Sequence, residues 1–247
     1  MRWSDTGILL ATRPFAETDA FAVFLTSAHG LTKGLIKGGQ SRRQKPHLQP
    51  GNIFAITWKA RLEEQLGFFT VEPQETLTAA LFSDTAKLQI LSAACAVLAD
   101  ALPELQANWR VFENTRLLLE NLTLANYVEW ERELLAELGF KMELNICNAT
   151  GSTENLVYIS PKTGHAISAA AGEPYKERLL NMPAIWSKTP PQTPSAQDLD
   201  DALAVLEFFL ETRIYAHIKR PLPYARRVLK KFLSSMEASS SHTPPTI

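Results

Sequence analysis

The chain has 247 residues, 45% of them hydrophobic and 21% charged, with a net charge of −1. That is enough length and apolar content for one large core or two modest ones, in a composition ordinary for a globular protein. No apolar run is long enough to span a bilayer, and Arg2, Asp5 and Arg13 interrupt the apolar stretch that a signal peptide needs. Cys95 and Cys147 fall in different contexts and read as free thiols of a reducing, cytoplasmic compartment.

The first seventy-five residues read as short strands. Gly7 to Thr12 is apolar and is expected to end at Arg13-Pro14, where a proline stops ladder pairing. Ala20 to Thr26 is a second strand, closed by the turn residues His29-Gly30. Leu31 to Lys37 alternates before Gly38-Gly39. In Asn52 to Arg61, Phe54, Ile56 and Trp58 share one face while Thr57, Lys59 and Arg61 share the other. Leu66 to Val71 is the fifth candidate. Five short strands point to a small barrel or sandwich, and the five-stranded OB barrel is the natural candidate.

After Pro73 the periodicity becomes helical. Asp84 to Leu102, Val111 to Leu122 and Tyr127 to Leu138 carry apolar residues at three- and four-residue spacing. Residues 141–172 read as an irregular insert with a short apolar piece at Leu156 to Ile159. Glu173 to Asn181 reads as a short helix with Pro174 in its first turn. A proline-rich linker, Thr189 to Ser195, precedes a helix with Ser195 as N-cap and Asp198 reaching back to it. A last basic helix runs from about Pro223 to Met236, with Arg226, Arg227, Lys230 and Lys231 on a solvated side. The expected organisation is α+β: an OB-fold domain over 1–76, a helical domain over 77–237, and a disordered Ser/Thr/Pro tail over 238–247.

Charge is strongly segregated. From Glu72 to Glu211 there are 20 acids and 9 bases. From Gly30 to Leu62 there are seven bases, Lys33, Lys37, Arg42, Arg43, Lys45, Lys59 and Arg61, and no acid. A local cationic face on a β-scaffold is the footprint expected for a polyanion, most often nucleic acid; the alternative is an ordinary solvated face. Within this segment Gly38 to Pro46 is a polar loop whose paired glycines and cations suit phosphate contact. It lacks the Gly-Lys-Ser/Thr of a nucleotide-triphosphate loop. Most barrel aromatics are expected in the core, with Phe15 and Trp58 the better candidates for base stacking.

No constellation demands catalysis. Asp198, Asp200 and Asp201 read as helix-capping and dipole residues rather than metal ligands, and the histidines have no catalytic neighbours in sequence. Cys147 opens Cys147-Asn148-Ala149-Thr150-Gly151, but the second position of a zinc pair holds Thr150, so no metal is expected.

The run Gly7-Ile8-Leu9-Leu10-Ala11-Thr12-Arg13-Pro14-Phe15-Ala16-Glu17-Thr18-Asp19 resembles the opening of the bacterial RecO family. The pattern continues through Lys37-Gly38, Leu48-Gln49-Pro50-Gly51, Glu133 to Phe140, Cys147 to Gly151 and Tyr158 to Gly164, and so spans nearly the whole chain. The resemblance implies an OB-fold joined to a helical domain, without catalysis or cofactor. It implies binding of single- and double-stranded DNA, strand annealing, and cooperation with RecR in helping RecA replace single-stranded-DNA-binding protein (SSB). It also implies a cytoplasmic protein, associated with the nucleoid during repair. Some members carry a zinc ribbon; this chain departs from it at Thr150. The acidic SSB tail is an implied partner of the helical domain, where Arg116 and Arg132 are the candidate contacts. The alternative is an adaptor that chiefly binds such acidic tails rather than DNA.

Overall fold

The computed structural model describes residues 1–62 and 65–230. Five strands close a barrel: β1 (Arg2–Phe15), β2 (Asp19–Thr26), β3 (Gly30–Ile36), β4 (Ile53–Lys59) and β5 (Gly67–Glu75). Their order is β1-β2-β3-β5-β4, with β4 returning to β1. All pairings are antiparallel except β3 with β5. This is the OB-fold topology.

β1 is longer than the sequence suggests and runs through Pro14, which pairs with Ala20. β4 pairs only with Arg2 to Ile8, so from Arg13 onward β1 has one open side. A proline is tolerated there because no second ladder needs its missing N–H.

Phe24, Phe54, Ile56, Trp58 and Phe69 fill the barrel with Leu9, Ala20, Ala22, Ile36 and Leu48. Trp58 is 1% exposed. Its indole N–H donates to the Lys33 carbonyl at 3.3 Å, and its ring stacks on Trp3 at 5.4 Å. It sits against Gly67, where a Cβ would lie 2.2 Å from the indole. Gly67 pairs with Gly34 across the parallel seam, and a Cβ on Gly34 would lie 2.7 Å from Phe69. The seam thus closes over two aromatic rings because neither glycine carries a side chain.

The β2–β3 turn is tied to β1 through Asp5. Its Oδ1 accepts from the Thr6 N–H at 2.7 Å and from the Ser27 hydroxyl. Its Oδ2 accepts from the Ala28 N–H at 2.8 Å and lies 2.9 Å from His29 Nδ1. The His29 ring stacks on Trp3 at 3.9 Å. Burial pushes the Asp5 carboxyl up, but these hydrogen bonds outweigh it and hold the group below its ordinary value.

Four helices follow: α1 (Thr78–Leu81), α2 (Thr85–Ala101), α3 (Trp109–Glu120) and α4 (Leu124–Glu137). Asp84 caps α2 by accepting from the Lys87 N–H at 3.0 Å, and Asn108 caps α3 by accepting from Val111 at 3.1 Å. Beyond α4 come β6 (Leu156–Ile159), β7 (Ala166–Ser168), α5 (Ala169–Gly172) and β8 (Leu180–Asn181), with sheet order β7-β6-β8. The segment expected as one helix from Glu173 to Asn181 is a 3₁₀ helix over Glu173–Arg178, and its last two residues pair as β8. α6 (Ala196–Phe209) opens with the capping box expected at Ser195 and Asp198. It continues as a π-helix over Leu210–Tyr215 and as α7 (Ala216–Ile218).

Two compact units result. Among the described residues, one is Met1–Thr123 with Pro223–Arg226; the other is Leu124–Leu222 with 227–230. The first extends well past residue 76 because bonds from beyond the barrel return to it. The Thr78 N–H donates to Asn52 Oδ1 at 3.1 Å, and its hydroxyl donates to the Pro50 carbonyl at 2.6 Å. The Leu105 N–H donates to the Leu31 carbonyl at 2.9 Å. The last basic helix is described over 224–230; its expected end at Met236 and the tail over 238–247 lie outside the described residues. Arg226, expected on a solvated side, is fully buried instead. No helix of the described residues is long and apolar enough to cross a membrane.

Gly67→Ala is expected to cost about 3 kcal/mol by overpacking Trp58, read as a lower urea midpoint at unchanged slope. Asp5→Asn is expected to cost about 1–3 kcal/mol at neutral pH. A carboxyl depressed in the folded state contributes fully above its unfolded value and loses that contribution as pH falls through the folded value. The difference between wild type and Asp5→Asn is therefore expected to shrink as pH drops below about 4, measured by denaturation across pH 2–7.

Candidate nucleic-acid interface

Alternation along each strand sends one set of side chains outward, and the register aligns them into a row. Arg13 pairs with Phe21, Phe21 with Leu35, Leu35 with Phe68, Phe68 with Lys59, and Lys59 with Arg2. The row crosses all five strands, with cations at both ends and apolar side chains at its centre. A bulge between Leu9 and Ala11 makes it possible. The extra residue inverts the alternation of β1, so Thr12 pairs with inward Ala22 and Arg13 faces out.

Each flank carries a cation over a ring. The Arg13 guanidinium lies 4.7 Å from the centroid of Phe21, and Lys37 Nζ lies 5.0 Å from that of Phe68. Phe68 is 43% exposed, as is Phe15, two residues beyond Arg13 on the same side of β1. Beside the row, Ser4 and Thr57 hydroxyls hydrogen-bond at 2.9 Å, and Thr57 pairs with Thr70. The surface therefore offers cations, π-faces and hydroxyls in adjacent lines, as a single-strand platform requires.

The structure sorts the seven predicted cations. Lys37 and Lys59 converge on Phe68. Arg61 is exposed in the β4–β5 connection, next to Lys59. Arg42, Arg43 and Lys45 are exposed on the β3–β4 connection, which winds into a helical turn with the Lys45 N–H donating to the Ser41 carbonyl at 3.0 Å. The same connection is pinned to β2: the Gly38 N–H donates to Asp19 Oδ1 at 2.9 Å and the Gln40 N–H to the Thr18 carbonyl at 2.8 Å. Lys45 thereby shares a cleft of about 190 Å³ with Arg13 and Pro14. Lys33 stands apart, because its ammonium is 2.6 Å from Glu104 Oε1 and already neutralised.

Trp58 is removed as a stacking candidate: its ring is consumed in the core and at the seam. Phe68 takes that place, and Arg2 joins the cations. Both were hard to find in sequence. Phe68 and Phe69 differ only in parity, and Arg2 meets Lys59 only through a pairing 57 residues distant in the chain.

Arg116 and Arg132, the candidate acidic-tail contacts, lie in different compact units. Arg116 bridges Glu113 at 3.1 Å and also Glu120 on its own helix; the Glu113 hydrogen bond leads in raising its pKa. Arg132 bridges Glu129 at 2.9 Å and Glu133 at 3.0 Å. Arg132 and Lys141 border a cleft of about 400 Å³ beside Trp186, whose indole N–H donates to Glu129 Oε1 at 2.7 Å.

Cys95 is buried, and that burial pushes its thiol up to about 12. Cys147 is also buried, which raises its thiol. Hydrogen bonds from Ser168 and Thr150 outweigh this and bring it down to about 6, with the Ser168 N–H 3.2 Å from Sγ. No cluster of three or more His, Cys, Asp or Glu side chains fit to hold a metal is present among the described residues. Asp198 is engaged in the α6 capping box, and Asp201 accepts from Gln197 at 2.8 Å.

Topology and outer row together define an OB-fold protein with an appended helical region. Residues 1–76 match the family model for the N-terminal part of recombination protein O, and residues 83–221 match the model for its C-terminal part. The DNA repair protein RecO of Rhodospirillum centenum is 40% identical over 250 residues, covering 99% of both chains. That of Phenylobacterium zucineum is 42% identical over 239 residues, covering 95% of this chain and 98% of the relative. That of Caulobacter vibrioides is 40% identical over 232 residues, at 92% and 95% coverage. The chain belongs to the RecO family of DNA repair proteins.

Charge reversal of both Lys37 and Lys59 is expected to weaken binding of a labelled single-stranded oligonucleotide by tenfold or more. Lys33→Ala is expected to change it by less than about twofold, since Glu104 already neutralises that ammonium. Fluorescence anisotropy at fixed salt reads both.

Proposed function

We propose that this protein binds single- and double-stranded DNA through the barrel exterior, anneals complementary strands, and acts without catalysis of its own. With RecR, it helps RecA load onto single strands coated by SSB. The observation that carries this reading is the continuous outer row from Arg13 through Phe21, Leu35 and Phe68 to Lys59 and Arg2. Its cations neutralise phosphates, while the exposed Phe68 presents a ring on which any base stacks, so contact along the row is independent of sequence. The β1–β2 and β4–β5 connections flank the row, as they flank the oligonucleotide-binding face of OB-folds. Strand annealing follows from a row that holds the phosphate path and leaves free the Watson–Crick edges of the bases stacked along it. The protein acts in the cytoplasm, at the nucleoid during repair.

The acidic tail of SSB is the proposed partner of the helical region, with the cleft at Arg132 and Lys141 the better placed contact. An adaptor role without DNA binding has less support: Arg116 and Arg132 already share their charge with glutamates, whereas Lys59 and the loop cations Arg42, Arg43 and Lys45 have no ion-pair partner among the described residues.

Contact with about four phosphates predicts a log–log salt slope near −3 for single strands. Phe68→Ala is expected to lose about 1–3 kcal/mol of oligonucleotide affinity while leaving that slope unchanged, because it removes stacking and no charge. Annealing of SSB-coated complementary oligonucleotides, compared between wild type and the Arg42→Glu/Arg43→Glu variant, tests the functional step. Full activity of that variant, or a flat salt response, sinks the assignment.

A further inference from the structure

We propose that the cleft between the β3–β4 connection and β5 receives one nucleobase turned out of a bound single strand, and that it prefers bases bearing an exocyclic amine. This inference rests on the reading of the barrel exterior as a DNA-binding face.

The cleft measures about 500 Å³, within the roughly 300–1,000 Å³ of small-molecule sites and at the barrel mouth where such sites form. Leu48, Phe54 and Val71 make an apolar floor continuous with the barrel core. Arg43 and Glu72 stand at its exposed edge, and Gln44 lies in its wall. These groups suit different parts of a nucleotide. The flat apolar floor suits the base, and the Arg43 guanidinium suits its phosphate. Glu72 repels a bare anion, so the cleft is not a phosphate site, but a carboxylate accepts from a base amine. Gln44 adds a second acceptor: its Oε1 is buried without a hydrogen-bonding partner among the described residues. An unmet buried acceptor is costly, and rotation toward a ligand amine relieves it. Adenine, cytosine and guanine each carry an exocyclic amine, and dAMP and dCMP sample that class; thymine carries none.

The cleft is also continuous with the row. Phe68 and Glu72 lie on the same outward side of β5, four residues and about 13 Å apart. Lys37, over the Phe68 ring, directly precedes Gly38, which lines the cleft. The cleft thus lies beside the row, about 13 Å along β5 from Phe68, and the Lys37–Gly38 segment borders both.

The test is chemical-shift titration of the full chain with dAMP, dCMP, TMP and inorganic phosphate, following the Val71 methyls and the Gln44 side-chain amide. Expected are saturable shifts at both positions with dAMP and dCMP, about fivefold weaker binding of TMP, and no Val71 shift with phosphate. Gln44→Ala should narrow the preference to within about twofold while keeping the Val71 shift. If no nucleotide moves Val71 or Gln44 while a labelled oligonucleotide still binds the same chain, the cleft proposal is overturned and the DNA-binding face stands. Failure of the oligonucleotide itself to bind overturns both.

Discussion

Everything on the barrel exterior depends on how its interior closes. Trp58, rooted in β4, stacks on Trp3 of β1, donates to the Lys33 carbonyl of β3, and lies against Gly67 of β5. One side chain of β4 thus touches three other strands. Gly34 and Gly67 face each other across the parallel seam, and the space they leave is filled by Phe69 and Trp58. Parallel pairing cannot be closed by a tight hairpin, so the seam relies on this packing. It also sets the register that places Leu35 beside Phe68, and so the whole outer row.

That row shows why charge along a sequence is an incomplete guide to charge on a surface. The acid-free segment from Gly30 to Leu62 divides into three environments once folded. Lys33 is paired with Glu104, contributed by the acidic middle of the chain. Lys37 and Lys59 flank an exposed aromatic. Arg42, Arg43 and Lys45 ride on a connection whose position is fixed by backbone N–H groups donating to the Thr18 carbonyl and the Asp19 carboxylate. Arg2 and Arg13, outside the segment, complete the cationic ends of the row. The same logic separates Arg116 from Arg132: both lie on helices with favourable glutamate spacing, and both share their charge locally.

The folded chain departs from sequence expectation where long-range pairing overrode a local rule. Pro14 normally ends a strand, but β1 continues past it because its other side has no partner there. Alternation from Leu9 would turn Arg13 into the core; the bulge at Leu10 turns it out again. Arg226 reads as a surface cation and is fully buried. The helix caps at Asp84, Asn108 and Ser195 involve groups three residues apart, and two of them, at Asp84 and Ser195, coincide with the helix starts read from sequence.

By itself the sequence determined the five strands, most of the helices that follow, the acid-free basic stretch from Gly30 to Leu62, and membership of the RecO family. Those properties reside in residue periodicity, in neighbours within a few positions, and in ordered motifs along the chain. Only the tertiary structure decided which aromatic is exposed and which closes the barrel, that Lys33 is neutralised, and that Arg2, Lys59 and Phe68 adjoin. Those facts depend on strand register and on a one-residue bulge, and a shift of one position reverses the face of every side chain beyond it.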